Sequence, residues 1–291
     1  MPSSGRPEVQ GFFDDASNSV SYLVWDDATK DAVVIDPVLD FDRRDGRVST
    51  KSADGILAAA EKLGLKIVRV LETHAHADHL SAAPHIKRKT GAGVGIGEHI
   101  GDVQRIFRPV FNATDVSGDG SEFDYLFKDG DTFQVGGLQA EVLHTPGHTP
   151  ACVSYRIGDS IFIGDTMFMP DYGTARADFP GGDARALYRS IRRLLAFPPQ
   201  TRLFLCHDYK TPARDHYVWQ TTVEEQRAHN VQVREGVSEE EFVAMRQGRD
   251  AKLSTPELLM PAIQVNIRAG ELPPPDANGV RYLKLPVKLA E

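Results

Sequence analysis

The stretch Ile67-Val68-Arg69-Val70-Leu71-Glu72-Thr73-His74-Ala75-His76-Ala77-Asp78-His79 decides how the rest of the chain is read. Its first five residues form a β-branched, mostly apolar run that reads as a buried strand. The strand leads directly into His74, His76, Asp78 and His79, packed within six residues. Imidazole and carboxylate are the ligand types for Zn, Fe or Mn, and a loop leaving a strand can turn alternating side chains toward one centre. Small Ala75 and Ala77 allow that loop to fold tightly. The bland alternative is a surface loop with solvated histidines.

Three further strand ends speak against the bland reading. Leu138–Leu143 is followed by His144-Thr145-Pro146-Gly147-His148, where the Pro-Gly pair forces a tight turn that can aim His148 inward. Ile161-Phe162-Ile163 ends in Gly164-Asp165. Leu203-Phe204-Leu205-Cys206 delivers His207, followed by Asp208 and Tyr209. An aspartate or histidine at a single strand end usually just caps a turn or packs locally. Four ends that each offer metal-ligand chemistry point to one metal site.

The remaining sequence fits a mixed fold. Ser19–Trp25 and Ala32–Ile35 read as strands, Asp40–Ser52 as loop, and Asp115–Asp124 as an inserted loop. Ile56, Leu57, Ala60 and Leu63 recur at helical spacing, with Ser52 as N-cap and Gly64 as stop. Leu187–Leu195 reads as a helix ended by Pro198-Pro199. Thr222 with Glu225, and Ser238 with Glu241, have capping-box spacing, so the chain turns helical after Thr221. From Pro273 onward it is a polar, proline-rich extension. Bunched rather than alternating strands favour two sheets with helices packed outside, an α+β architecture.

Composition narrows the partners. The 291 residues are 41% hydrophobic and 25% charged, as in a globular protein. No apolar run approaches the ~18 residues needed to cross a bilayer, so no membrane association is expected. Lys plus Arg is 33 against Asp plus Glu at 41, a net charge of −8 that argues against nucleic acid. Met1–Arg6 has no apolar core behind a basic start, and Cys152 and Cys206 are too few for a disulfide scaffold. The expected location is cytoplasmic, with both cysteines acting as small buried hydrophobes.

His-x-His-x-Asp-His, then Pro-Gly-His-Thr, Gly-Asp and a late strand-borne histidine, resembles the metallo-β-lactamase superfamily. That resemblance implies an αββα sandwich with a metal at the sheet edges, residues 1–230 forming the catalytic domain and 231–291 a helical segment and tail packed on it. Arg176-Ala177-Asp178-Phe179, His207-Asp208-Tyr209 and the segment from Thr255 to Pro275 resemble the ETHE1-like bacterial persulfide dioxygenases. In that family one Fe(II) per chain is held by two histidines and one aspartate, here His74, His148 and Asp165. Glutathione persulfide and O₂ are the implied substrates, sulfite and glutathione the products.

On this reading His76, Asp78, His79 and His207 orient the ligands and hold water, while Arg176 and Tyr209 approach the substrate. Lys210 and Arg214 are further basic candidates, and His144 is close in sequence to the site without an assigned role. The same seven His/Asp positions also suit a dinuclear glyoxalase II-type hydrolase of glutathione thioesters. One metal, typically Zn, would then take His74, His76 and His148, the other Asp78, His79 and His207, with Asp165 bridging. The helices from Thr221 to Gly248 either cover the glutathione pocket or serve a homodimer interface.

Overall fold

The computed structural model describes residues 5–287. One six-stranded sheet runs in the order β1 (Glu8–Asp14), β2 (Ser19–Trp25), β3 (Asp31–Ile35), β6 (Lys66–Leu71), β8 (Gly93–Gly97), β9 (Tyr125–Phe127). Its first three strands are antiparallel, and from β3 onward the pairing is parallel. The second sheet follows chain order: β10 (Thr132–Val135), β11 (Leu138–His144), β12 (Val153–Ile157), β13 (Ser160–Phe162), β14 (Arg202–Phe204), β15 (Gln220–Thr222).

Three apolar layers follow from strand alternation. In β2, Val20, Tyr22 and Val24 point into the space between the sheets, where they meet Val142, Tyr155 and Phe204. Leu23 points the other way, into a core shared with α1 (Lys51–Lys62), α2 (Ala83–Thr90), α3 (Ile100–Phe111) and α7 (Leu259–Asn266). The outer face of the second sheet buries Leu143, Ile161 and Leu203 against α4 (Ala184–Leu195) and α6 (Glu239–Asp250), with α5 (Val223–His229) beside them. Helices therefore cover both outer faces of a two-sheet sandwich, the expected αββα arrangement. No helix among the described residues is long and apolar enough to cross a membrane.

The expected loop over Asp40–Ser52 is instead a hairpin, β4 (Val38–Asp42) and β5 (Arg47–Ser49), joined to β7 (Leu80–Ser81). Val38 and Leu39 at the start of the hairpin are buried, Leu39 within the core, while Phe41 and Val48 pack half-buried against it and the rest is polar, so beyond its first two residues the hairpin carries little strand-like apolar signal. Ser52 is not the cap of α1. Thr50 occupies that position, and the Ser52 hydroxyl donates to Asp40 Oδ1 at 2.7 Å, pinning the helix to the hairpin. Both capping boxes form as the spacing predicts: Thr222 and Ser238 each receive a backbone N–H while Glu225 and Glu241 reach back.

Candidate metal centre

The sheet edges place the seven candidate ligands together. The loop after β6 carries His74, His76, Asp78 and His79. The β11–β12 turn carries His148, and the ends of β13 and β14 carry Asp165 and His207. Two glycines make the approach possible. Gly147 sits at φ +138°, and a Cβ there would fall 2.3 Å from the Leu187 backbone of α4. Gly164 sits at φ +53°, where a Cβ would strike the Thr73 side chain at 2.7 Å. Only glycine fits a positive φ and such close approach at either point.

Donor atoms of His74, His148 and Asp165 lie within 4.8 Å of one another, and all three residues are buried. His74 Nε2 and His148 Nε2 stand 3.9 and 3.6 Å from Asp165 Oδ2. The far side of each ring is held: His74 Nδ1 meets Thr73 Oγ1 at 3.0 Å, and His148 Nδ1 meets the Arg176 carbonyl at 2.8 Å. Such outer contacts fix which nitrogen faces the centre. His74 Nε2, His79 Nε2 and Asp165 Oδ1 are buried with no hydrogen-bond partner among the described residues. Orphaned buried donors and acceptors are costly; a cation among His74, His148 and Asp165 would satisfy His74 Nε2 and engage the Asp165 carboxylate, while His79 Nε2 falls in the neighbouring group with His76 and Asp78. The residues fit a metal.

His76 does not join that triad. Its donors group with Asp78 and His79 on one side and with Asp36 and Cys206 on the other. Nε2 stands 3.1 Å from Asp36 Oδ1 and 3.6 Å from Glu72 Oε2. Burial opposes a charged imidazole there, but the adjacent Asp36 carboxylate wins and holds the His76 pKa well above its ordinary value. His74 goes the other way, pushed well below by burial and the neighbouring imidazoles, so it is neutral and able to ligate. His207 lies 3.4 Å from Asp165 and 3.5 Å from Asp78. His79 is lowered to about 4 by burial and by His76.

Asp36 is the member that sequence reasoning missed. It ends β3 in the left-handed region at φ +50°, buried, and accepts from Thr73 N at 2.7 Å and Thr73 Oγ1 at 2.8 Å. It therefore sets the start of the histidine loop. The available signal was an apolar strand ending in Asp before Pro37, the same pattern that marked His207.

A family model described as the metallo-beta-lactamase superfamily matches residues 14–207. The chain belongs to the metallo-β-lactamase superfamily. A probable metallo-hydrolase of Burkholderia pseudomallei is 51% identical over 96% of this chain and 98% of its own length. Glyoxylase B2 of Dictyostelium discoideum is 45% identical, over 98% of each. Bovine mitochondrial persulfide dioxygenase ETHE1 is 30% identical over 94% of this chain and 92% of its own. Among solved structures, ETHE1 from Myxococcus xanthus superposes with a TM-score of 0.72 at 31% identity, covering 91% of this chain and all of that one. The chain thus resembles the ETHE1 proteins in both sequence and fold, and its buried His/Asp cluster is that of a metal-dependent superfamily enzyme.

Two openings lead to the superfamily centre. A cavity of about 220 Å³ reaches Asp78, His148, Asp165 and His207 past Phe168, Phe179 and Tyr209. A wider cleft of about 790 Å³ under the β4–β5 hairpin opens on Asp78 and His79. Tyr209 borders both, stacked on His207 with ring centres 5.5 Å apart and on Tyr172 at 5.0 Å. Arg176 lines the smaller cavity, but its guanidinium grips Asp178 at 2.6 and 2.7 Å and the Ser254 carbonyl at 2.8 Å. Arg214 is bound to Asp208 and Asp171, and Lys210 lies 4.1 Å over the Tyr217 ring.

Arg249, near the end of α6, borders the same cavity and a further one of about 440 Å³ beyond Tyr172. It is exposed and forms no ion pair among the described residues. His144 turns away from the centre, stacking on His99 with ring centres 4.5 Å apart and meeting the Pro150 carbonyl at 2.9 Å. Cys152 is buried and accepts from Thr149, its thiol pushed up to about 12 by burial. Cys206 is buried too, its thiol also raised.

α6 is tied to the centre from outside. Arg246, 2% exposed, pairs with Asp250 at 2.6 Å and donates to the Thr174 carbonyl and Gln232 Oε1, each at 3.2 Å. Asp250 Oδ2 in turn accepts from Ala177 N at 3.0 Å, one residue beyond the carbonyl that orients His148.

Proposed function

We propose that this protein is a glutathione-dependent persulfide dioxygenase with one Fe(II) per chain, held by His74, His148 and Asp165. The outer sulfur of glutathione persulfide is oxidised with O₂ and water to sulfite, releasing glutathione. The observation that carries this reading is the separate convergence of two imidazoles and one carboxylate, with His76 drawn off onto Asp36. That set is the two-histidine, one-carboxylate type suited to non-haem Fe(II), whereas a dinuclear hydrolase would group His76 with His74 and His148. The likeness to the ETHE1 proteins supports the same choice.

Fe(II) in such a set supplies open coordination positions where a sulfur and O₂ can meet. The chain's own residues do the rest. Thr73 and the Arg176 carbonyl keep His74 and His148 turned inward, and Phe168 and Phe179 keep the cavity walls apolar around the reacting sulfur. Tyr209 and Arg249 offer a hydroxyl and a free cation to the peptide and carboxylates of glutathione. Arg176 shapes the wall and carries the His148 contact. His76, Asp78, His79 and His207 hold water and hydrogen bonds around the ligands.

A glyoxalase II-type thioesterase is the competing reading, favoured by the name of the 45% identical relative. The two differ in their need for oxygen. Protein purified without oxygen, with its metal content measured, should consume O₂ and form sulfite in step with glutathione persulfide. It should stop under nitrogen and lose activity when iron is replaced by zinc, while hydrolysing little lactoylglutathione. Oxygen-independent thioester cleavage at enzyme-like rates, about 1–10³ per second, without persulfide-dependent oxygen uptake would overturn the proposal.

A further inference from the structure

The reactive sulfur of glutathione persulfide sits on the middle residue of a tripeptide, so the two flanking residues must leave the centre in different directions. The smaller cavity, at about 220 Å³, falls short of the roughly 300–1,000 Å³ of pockets that enclose a ligand of this size. The wider cleft under the β4–β5 hairpin, at about 790 Å³, meets it at Asp78, Tyr209 and Pro256. A peptide lying astride Tyr209 reaches both spaces, with its cysteine at their junction beside the centre.

The two spaces differ in charge, and so do the two ends of glutathione. The glycyl end is a plain carboxylate, whereas the γ-glutamyl end carries a carboxylate and an ammonium on one carbon. Beyond Asp78 and Asp165 at the centre, no acid among the described residues lines the smaller cavity, and its free cation is Arg249. The cleft mixes both signs. Of the three arginines at the hairpin tip, Arg43 pairs with Glu257 at 2.9 Å and Arg47 with Asp45 at 3.1 Å. Arg44 is exposed, and its guanidinium has no ion pair or hydrogen bond among the described residues. Its backbone is held in place, because Arg44 N donates to Asp42 Oδ1 and Gly46 N to the Asp42 carbonyl, each at 2.9 Å. Among the cleft's acids away from the centre, Asp40 is spent on Ser52 and Glu257 on Arg43. Asp42 Oδ2 and Asp14 Oδ1 accept no hydrogen bond among the described residues. A free guanidinium with two available carboxylate oxygens complements an amino-acid head group. We propose that the hairpin cleft is the subsite for the γ-glutamyl head, with Arg44 taking its carboxylate and Asp42 and Asp14 drawing its ammonium, while Arg249 takes the glycyl carboxylate. The hairpin thereby selects γ-glutamyl persulfides over those of other thiols. The inference rests on the glutathione substrate proposed above.

The test uses the iron-loaded full chain and three persulfides: that of glutathione, that of cysteinylglycine, which lacks the γ-glutamyl head, and that of γ-glutamylcysteine, which lacks the glycine. Arg44→Ala should lower kcat/KM about five- to tenfold, through KM, for both γ-glutamyl substrates and keep cysteinylglycine persulfide within about twofold of wild type. Arg249→Ala should instead lower kcat/KM for the two glycine-containing substrates more than for γ-glutamylcysteine persulfide. Arg44→Lys, which keeps the charge, should recover part of the loss. Unchanged KM for all three substrates in Arg44→Ala would make Arg44 a solvated surface arginine and overturn the proposal, as would an equal loss with cysteinylglycine persulfide. Calorimetry with S-methylglutathione, which carries no persulfide to oxidise, gives a readout besides activity: Arg44→Ala should weaken its binding by a similar factor. Failure of the functional reading looks different. No persulfide would then drive oxygen uptake by the wild-type protein, while the effect of Arg44→Ala on S-methylglutathione binding would still decide the subsite.

Discussion

Replacing Asp250 by Ala strips the counter-charge from a guanidinium that has almost no access to water. Arg246 would keep its bonds to the Thr174 carbonyl and Gln232 but lose the carboxylate at 2.6 Å. The Ala177 N–H would lose its acceptor as well. Removing one partner of a buried pair typically costs about 3–5 kcal/mol, and an orphaned buried N–H about 1–3 kcal/mol, part of which is already inside the first figure. The expected loss is therefore about 3–5 kcal/mol, read as a lower urea midpoint at unchanged m-value. Asp250→Ala should also bind iron less tightly, because Ala177 follows the carbonyl that orients His148. The double variant Arg246→Met/Asp250→Ala removes the stranded charge and should be less damaged than the sum of its two single changes by at least about 1 kcal/mol. A loss below about 1 kcal/mol in Asp250→Ala, or strict additivity in the double variant, would refute the idea that this pair clamps α6 to the centre.

His148→Ala should strip most of the metal, measured by elemental analysis, while far-UV circular dichroism stays native, because the ring lies at a strand end rather than in a core. Arg249→Ala should raise KM for glutathione persulfide with little change in kcat. Loss of a charge-assisted hydrogen bond of about 1.5–3 kcal/mol gives roughly ten- to a hundredfold in kcat/KM. Arg176→Ala should act differently, lowering iron occupancy as well as affinity, since its guanidinium is spent on Asp178 and Ser254. With its folded-state pKa raised by burial to about 12, the Cys152 thiol is neutral in the native protein and should resist iodoacetamide at pH 8 until unfolded. The sign of the linkage is fixed by that direction: Cys152 contributes stability below the unfolded thiol pKa of about 8.5 and loses it as pH rises toward the folded value, so urea midpoints should fall above about pH 8.5.

The parts of this molecule that could be read from sequence are those in which an apolar strand ends in a chemically distinctive residue. Ile67–Leu71, Leu138–Leu143 and Leu203–Leu205 announced both their burial and their cargo. The β4–β5 hairpin was hidden because its buried apolar pair, Val38 and Leu39, stops at Asp40, and beyond it only Phe41 and Val48 are apolar in otherwise polar strands. Asp36 was hidden for a different reason. Its role depends on Thr73, thirty-seven positions away, which only the parallel pairing of β3 with β6 brings alongside. Arg249 and Arg176 exchange emphasis for a similar reason: which guanidinium is free is decided by Asp178 and Ser254, and no local pattern records that competition. Both helix caps after Thr221 were legible because a capping box closes on itself within four residues.

His74 hangs from the first sheet, whereas His148 and Asp165 hang from the second. Direct bonds between the sheets at this edge are few, among them Val153 N to the Thr73 carbonyl at 2.9 Å, Val20 N to the Cys206 carbonyl at 2.8 Å and Tyr155 Oη to the Glu72 carbonyl at 2.8 Å. On the proposed ligand set, an ion shared by the three would add a clasp across the seam between two halves of the protein, and its release would loosen them at that edge. Ion affinity and resistance to opening are then one quantity seen from two sides, since whatever binds the folded state alone stabilises it in proportion to the logarithm of its saturation. Chelation should make the histidine loop and the Pro146-Gly147 turn the first segments to admit a protease or exchange their amide hydrogens, while the far ends of both sheets remain closed.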